Sequence, residues 1–169
     1  LGTILLPSLS KYHANGRQEE YSKLLDWGLR LTMLLAAPAA VALAILGIPL
    51  ISTLFYHGEF TAEGVFRTRD ALFCYSTGLL ALILIKVMAP GFYAQQNIKT
   101  PVRIGIAALI ATQLMNLLFV FALDLRHAGL ALSISMAAWL NAGLLFYGLR
   151  KRAIYQPLPG WVSFYAKLF

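Results

Sequence analysis

The sequence of 169 residues has little charge. Asp, Glu, Lys and Arg together make up 12% of it, whereas hydrophobic residues make up 59%. A soluble domain usually has about 25% charged residues, so the deficit indicates a membrane protein, in agreement with the mean hydropathy of +0.70. The formal net charge of +7 does not indicate nucleic-acid binding, because the basic residues lie between apolar runs, as in the loops of membrane proteins.

Groups that would support catalysis or metal binding are few and scattered. The single cysteine, Cys74, excludes a disulfide framework within the chain and a multi-cysteine metal site. The three histidines fall in three separate polar loops, so a common metal site is not expected. The seven carboxylates lie in loops or at predicted helix starts, and no glycine-rich phosphate loop or nucleophile elbow occurs. We therefore expect neither an enzyme nor a bound cofactor or metal.

Four apolar runs are each long enough to cross a bilayer, which requires about 20 apolar residues. They lie at about 31–56, 71–93, 104–123 and 128–149. These runs predict an all-α, polytopic bundle with four transmembrane helices within residues 31–152. We interpret residues 1–10 as the end of a preceding transmembrane helix, and residues 153–169 as a linker with the start of a further one. The chain is therefore expected to be a fragment of a larger membrane protein.

Residues 11–30 are predicted to be a cytoplasmic loop with an interfacial helix that leads into the first complete span. Arg30, at the entrance of that span, is expected to anchor in the headgroup region. Two acid–base pairs have the four-residue spacing that stabilises a helix: Glu19 with Lys23, and Asp26 with Arg30. Three apolar residues of this helix are expected to face the bilayer: Tyr21, Leu24 and Leu25.

The distribution of Lys and Arg predicts the orientation. Nine lie in the loops of one side: Lys11, Arg17, Lys23, Arg30, Lys99, Arg103, Arg150, Lys151 and Arg152. Three lie in the loops of the other side: Arg67, Arg69 and Arg126. The positive-inside rule places the first side in the cytoplasm.

Lys86 lies inside the second complete span, 71–93. On insertion scales a central Lys raises the free energy of membrane insertion by about 2.5 to 3.5 kcal/mol, and each Leu, Ile, Phe or Val lowers it by about 0.3 to 0.6 kcal/mol. The surrounding apolar residues therefore roughly offset the cost of the Lys. An ionisable residue within a span is by default a hypothesis about function. The residues alone leave two interpretations. The ammonium either snorkels to the cytoplasmic headgroups or faces a water-filled cavity, where it would meet an anionic substrate group.

Two further features inside the spans each allow two interpretations. Pro90 and Gly91 either end the helix or form a hinge or gate near the cytoplasm, where irregular backbone can line a cavity. Asn116 and Asn141 are expected to hydrogen-bond between helices, with direct contact to a substrate as the alternative. Small residues recur at every fourth position of the fourth span and would let another helix approach closely: Gly129, Ser133, Ala137 and Asn141.

One run of the sequence, over Lys86–Arg103, closely resembles the MurJ/MviN family of lipid II flippases: KVMAPGFYAQQNIKTPVR. Four shorter runs resemble the same family in the same order: LGTILLPSLSK, DWGLRL, TQLMNL and HAGLALSI. The resemblance covers nearly the whole chain. It implies the fold of the multidrug/oligosaccharidyl-lipid/polysaccharide superfamily, with two six-helix lobes around a central cavity and two added C-terminal helices. The chain would span the end of the eighth helix, helices nine to twelve and the start of the thirteenth.

The same resemblance implies a multi-pass protein of the bacterial inner membrane that moves lipid II from the cytoplasmic to the periplasmic leaflet by alternating access. Lipid II is the undecaprenyl-pyrophosphate-linked precursor used in peptidoglycan and cell wall synthesis. Lys86 matches the family's intramembrane lysine, which favours the cavity interpretation and a contact with the pyrophosphate. The family's other cavity charges would lie before Leu1.

We therefore place Lys86 and Asn116 along the substrate pathway, and Pro90 and Gly91 at a hinge or gate. Lipid II and membrane lipids are the expected partners. Two alternative functions stay open: export of another polyprenyl-linked glycan, and a membrane scaffold that recruits cell-wall synthesis proteins through its basic loops.

Overall fold

The computed structural model describes residues 2–55, 62–122, 126–161 and 164. Within these residues it consists of six α-helices without a strand: α1 (Gly2–Ala14), α2 (Gln18–Ile45), α3 (Gly47–Phe55), α4 (Ala62–Tyr93), α5 (Lys99–Leu117) and α6 (Arg126–Lys151). A five-residue π-helix, Leu118–Ala122, extends α5. In the described part of the chain, α2, α4, α5 and α6 are long and apolar enough to cross a bilayer. The predicted all-α, polytopic membrane fold is thereby confirmed.

Some predicted boundaries cannot be compared with the structure. The predicted span ends at Tyr56 and Leu123 lie outside the described residues. So does most of the further helix predicted to begin near Trp161.

The helix α2 is longer than the first predicted span. It begins at Gln18, so the predicted interfacial helix and the span are one continuous helix that ends at Ile45. Leu46 separates it from α3. Pro49 explains the break, because it has no N–H to donate to the carbonyl of Ile45 and its ring clashes with that carbonyl. Pro38, by contrast, lies within α2 without ending it.

Both predicted acid–base pairs form in α2, in different surroundings. Lys23 Nζ lies 2.6 Å from Glu19 Oε1 on the exposed surface. Arg30 Nε lies 2.7 Å from Asp26 Oδ2, and Asp26 is only 1% exposed. Arg30 is therefore engaged within the protein, instead of anchoring in the headgroups as predicted.

The prediction that Tyr21 and Leu25 face the bilayer is wrong. Both side chains are completely buried in the hydrophobic core, and Leu24 packs against that core. At this level α2 packs on both α1 and α4. The error has a physical cause, because a helix on a membrane surface and a helix whose apolar face packs on protein have the same periodic pattern.

The helix α4 is central to the fold, since it contacts each of the other five α-helices. The core lies where α1, α2, α4 and α6 meet. Ile154 and Tyr155, which follow α6, complete it. Its largest fully buried apolar side chains are Leu9, Tyr21, Leu25, Val87, Phe92, Leu145, Leu149 and Tyr155. The helix α5 packs mainly on α6 and leaves most of its apolar side chains exposed.

The backbones of α4 and α6 come close together at Gly78. A Cβ atom on Gly78 would lie 2.6 Å from the Cα atom of Ser135. The hydroxyl of Ser135 donates to the carbonyl of Cys74 at 2.7 Å, and the indole N–H of Trp139 donates to the carbonyl of Thr77 at 2.9 Å. This helix pair therefore has no room for a side chain at position 78.

We expect the substitution Gly78→Ala to lower stability. The added methyl group overlaps Ser135, and overpacking costs about 1 to 3 kcal/mol, which exceeds the gain of about 1 kcal/mol in helix propensity. The midpoint of thermal unfolding in detergent micelles measures the effect. Gly143→Ala is the matched control, because its new Cβ would meet nothing within 4 Å. Equal midpoints for the two variants would contradict the close contact.

Candidate functional site

The side chain of Lys86 is exposed on α4. The next two residues, Val87 and Met88, are buried, with 1% and 2% of their surface exposed. Lys86 therefore lies at the edge of the packed face of the helix. Within the described part of the chain, its ammonium forms neither an ion pair nor a hydrogen bond. A charge at this depth that the protein does not pair needs water, headgroups or an anionic ligand.

The backbone of Lys86 is in contact with α1. Pro90 lies four residues later and has no N–H, so α4 cannot provide the usual hydrogen bond to the Lys86 carbonyl. The first residue of α1, Gly2, lies against this carbonyl, and a Cβ atom there would be 2.5 Å from the carbonyl oxygen. The contact with α1 thus fixes the position from which the Lys86 side chain extends.

The helix α4 continues through Pro90 and Gly91 and ends at Tyr93. Gly91 is tightly packed, because a Cβ atom there would lie 3.2 Å from Leu25 of α2 and 3.3 Å from Leu149 of α6. This segment is therefore fixed to two neighbouring helices in this conformation. A hinge or gate at Pro90 and Gly91 stays a prediction.

The hydroxyl of Tyr21 donates a hydrogen bond of 2.5 Å to the carbonyl of Gly91. That carbonyl lies in the last turn of α4, where backbone acceptors lack partners within the helix. The N–H of Gln95, which would complete the helical pattern, bonds to Phe92 instead. Tyr21 thus pairs a buried helix-terminal carbonyl from another helix.

Asn116 of α5 accepts a hydrogen bond from the hydroxyl of Ser133 in α6, and Ser133 is completely buried. The predicted interhelical bond of Asn116 is therefore present, and its contact with a substrate stays a prediction. Asn141 differs, because its buried carboxamide oxygen has no hydrogen-bond partner in the described residues.

Lys86 and Asn116 are not brought together. With a helical rise of 1.5 Å per residue, Lys86 lies about 10 Å before the end of α4, whereas Asn116 lies about 26 Å after the start of α5. Since a short turn joins the two helices, the two side chains lie at different depths.

A cluster that sequence reasoning did not find surrounds Asp26. Its carboxylate accepts hydrogen bonds from the hydroxyl of Tyr155 at 2.5 Å and the indole N–H of Trp161 at 2.9 Å, besides its ion pair with Arg30. Burial and the bond to Asp26 raise the pKa of the Tyr155 hydroxyl, so this group keeps its proton and donates. The four-residue spacing of Asp26 and Arg30 was visible in the sequence, but their distant partners were not.

Beside this cluster lies a cavity of about 400 Å³ between α2, α4, α6 and the linker after α6. Its walls are largely apolar, with Met33, Met88, Trp139, Phe146 and Trp161 among the lining residues. Neither Lys86 nor Asn116 lines it. In the described residues, no group of three His, Cys, Asp or Glu side chains could hold a metal ion.

Residues 1–169 match the family model described as "Lipid II flippase MurJ". The lipid II flippase MurJ of Burkholderia cenocepacia is 58% identical over 168 residues, which are 99% of this chain and 32% of the relative. A probable lipid II flippase MurJ of Vibrio cholerae is 39% identical over 99% of this chain and 32% of its own length. The chain thus spans about a third of the length of these relatives.

The fold has a counterpart among solved structures. The structure titled "Lipid II flippase MurJ, inward closed conformation" superposes with a TM-score of 0.73 at 24% identity. The match covers 91% of this chain and 32% of that chain. At this level of identity the superposition supports the fold.

The Tyr21–Gly91 bond gives a testable expectation. Tyr21→Phe leaves the buried Gly91 carbonyl without a donor, which costs about 1 to 3 kcal/mol and should lower the thermal unfolding midpoint. Tyr147→Phe is the control, because Tyr147 is 63% exposed and should leave the midpoint unchanged. If Tyr21→Phe unfolds at the wild-type temperature, the hydroxyl does not hold the end of α4.

Proposed function

The chain belongs to the lipid II flippase MurJ family, and on that basis we propose that the protein moves lipid II from the cytoplasmic to the periplasmic leaflet of the bacterial inner membrane. Its substrate is the undecaprenyl-pyrophosphate-linked precursor of peptidoglycan, and no covalent step takes place on the protein. In the part of the chain that the structure describes, four helices able to cross a bilayer support a multi-pass membrane protein. The single observation that carries the proposal is the exposed ammonium of Lys86 within α4, which has no partner among the described residues.

The depth of Lys86 favours a role in the substrate path. It lies about 10 Å from the end of α4, within the membrane-spanning part of that helix. Inserting such a charge costs free energy unless water or an anion meets it. A pyrophosphate supplies that anion. At an effective dielectric constant of about 20, two unit charges 4 Å apart attract each other by about 4 kcal/mol.

The contacts behind Lys86 suit alternating access. The contact of Gly2 with the Lys86 carbonyl and the tight packing of Gly91 fix this part of α4 to its neighbours. Lys86 then moves with the whole lobe rather than by itself, as expected where lobes rock about a central site. Pro90 and Gly91 act as a gate in this proposal only if the contacts of Gly91 with Tyr21, Leu25 and Leu149 open during the cycle.

Asn116 has a lesser part in the proposal. Its bond to Ser133 stabilises the α5–α6 pair, and such bonds contribute about 0.6 kcal/mol on average. For Asn116 to contact the substrate, its hydrogen bond with Ser133 would have to break and be replaced by one to the substrate.

The proposal predicts that Lys86→Ala, in the protein at its native length, lowers lipid II translocation at least tenfold at equal abundance in the membrane. Tenfold corresponds to about 1.4 kcal/mol, less than the attraction of one charge pair. Lys86→Arg keeps the positive charge and should retain more transport. Lys99→Ala removes an exposed lysine at the start of α5 and should transport normally.

The measurement is the fraction of lipid II that reaches the periplasmic leaflet of cells, normalised to the protein level. Full transport by a normally inserted Lys86→Ala protein would remove Lys86 from the mechanism. A second assay in vesicles compares lipid II with another polyprenyl-pyrophosphate-linked glycan. Preference for the other glycan would replace the proposed substrate with that of a related exporter.

A further inference from the structure

Asp26 is a buried carboxylate that the proposed transport step does not use. It is 1% exposed, and its Oδ1 atom accepts from the hydroxyl of Tyr155 at 2.5 Å and the indole N–H of Trp161 at 2.9 Å. Its Oδ2 atom lies 2.7 Å from Nε of Arg30. Tyr155 and Trp161 belong to residues 153–161, here called the linker, which follows α6. The carboxylate thus joins α2 to a segment more than 120 residues away.

Earlier residues of α2 bind the same linker. The hydroxyl of Ser22 donates to the carbonyl of Gln156 at 3.0 Å and accepts from its N–H at 2.9 Å. The side-chain amide of Gln18 lies 3.4 Å from the carbonyls of both Ala153 and Ile154. The backbone N–H and C=O groups of a loop beside a membrane need hydrogen-bond partners. Side chains of α2 provide such partners for the linker.

The α2 side chains that bind the linker follow a regular pattern. They recur at every fourth position and so lie along one face of the helix; we call them the polar stripe. Its members are Gln18, Ser22, Asp26 and Arg30. Their contacts with the backbone of the linker advance along it: Gln18 bonds to residues 153 and 154, Ser22 to 156, Asp26 to 158, and Arg30 to 158 and 159. The stripe therefore sets the register of the linker along α2.

Arg30 completes the stripe at the far end. Its guanidinium donates to the carbonyls of Leu158 and Pro159, each at 3.3 Å, and stacks on the ring of Trp161, 5.1 Å from its centroid. Gly160 has a φ of +100°, which an L side chain rarely adopts. The linker is thus shaped to close over the Asp26–Arg30 pair.

We propose that the polar stripe is a latch that holds the linker in register along α2, with Asp26 as its positioning residue. The end of the linker at Trp161 is then held rigidly on the α1–α6 unit. Without the latch, the nine residues of the linker, which include two prolines and a glycine, would leave Trp161 free to move relative to the bundle. The link to the transport cycle rests on the proposed function, because alternating access requires lobes that move as units.

Hydrogen exchange of the purified protein at its native length, in lipid nanodiscs, tests the latch without any transport assay. The amides of Gln156 and Leu158 donate to Ser22 and Asp26, at 2.9 and 3.4 Å, and report directly on it. We expect Asp26→Asn to speed exchange in residues 153–161 at least tenfold, with exchange in α4 and α6 unchanged. Unchanged exchange in the linker would overturn the latch.

The matched control is Glu19→Gln. Glu19 is an exposed acid on the same helix that pairs with Lys23, and its loss should leave linker exchange at the wild-type rate. If Asp26→Asn does not accumulate in the membrane, Ser22→Ala replaces it. Ser22→Ala removes one hydroxyl and keeps the ion pair, and we expect it to speed linker exchange about threefold. A wild-type rate in Ser22→Ala would equally overturn the latch.

Transport by the same variants tests whether the latch is coupled to the transport cycle. At equal membrane abundance, Asp26→Asn should lower lipid II translocation at least tenfold, while lipid II binding in detergent stays within twofold of wild type. A linker that exchanges tenfold faster with unchanged transport would overturn the coupling. Normal transport by Lys86→Ala would instead count against the proposed function, and the exchange result would still decide whether the latch exists.

Discussion

Close contact between α4 and its neighbours at glycine positions is the constraint on which the rest of the structure depends. Between membrane helices the hydrophobic effect gives little attraction, so association relies on van der Waals packing and interhelical hydrogen bonds. Gly2 of α1 lies against the carbonyl of Lys86, Gly78 lies against Ser135 of α6, and Gly91 lies against leucines of α2 and α6. These contacts are spread along α4 and leave it little freedom to shift.

The same contacts determine where the charge lies. The packed sides of α4 face α1, α2 and α6, and the Lys86 side chain extends from outside them. Pro90 removes the hydrogen bond that the Lys86 carbonyl would otherwise accept, and α1 covers that carbonyl. A fixed backbone with an outward-pointing ammonium is a suitable arrangement for binding an anion, because little ordering is required when the anion arrives.

The sequence was most informative where a pattern is local. Long apolar runs predicted the membrane helices, and the charge at Lys86 stood out because charges inside spans are rare. The burial of Tyr21 and Leu25 was not predictable, since apolar residues facing lipid and facing protein look alike. The partners of Asp26 were also hidden, because Tyr155 is 129 residues away and no local spacing connects them. The bond of Asn116 was expected, whereas its partner Ser133 was known only as part of a small-residue stripe.

Chemical restoration of the charge at position 86 tests the central claim most directly. In the protein at its native length, with Cys74 and any cysteine outside these 169 residues replaced by serine, Lys86→Cys should lose lipid II transport. Modification with 2-aminoethyl methanethiosulfonate, which places an ammonium at the end of a chain similar to that of lysine, should restore it. A neutral methyl methanethiosulfonate should not, and lipid II should slow the modification at least tenfold. Restoration by both reagents, or by neither at complete modification, would contradict a role for the Lys86 charge in the substrate path.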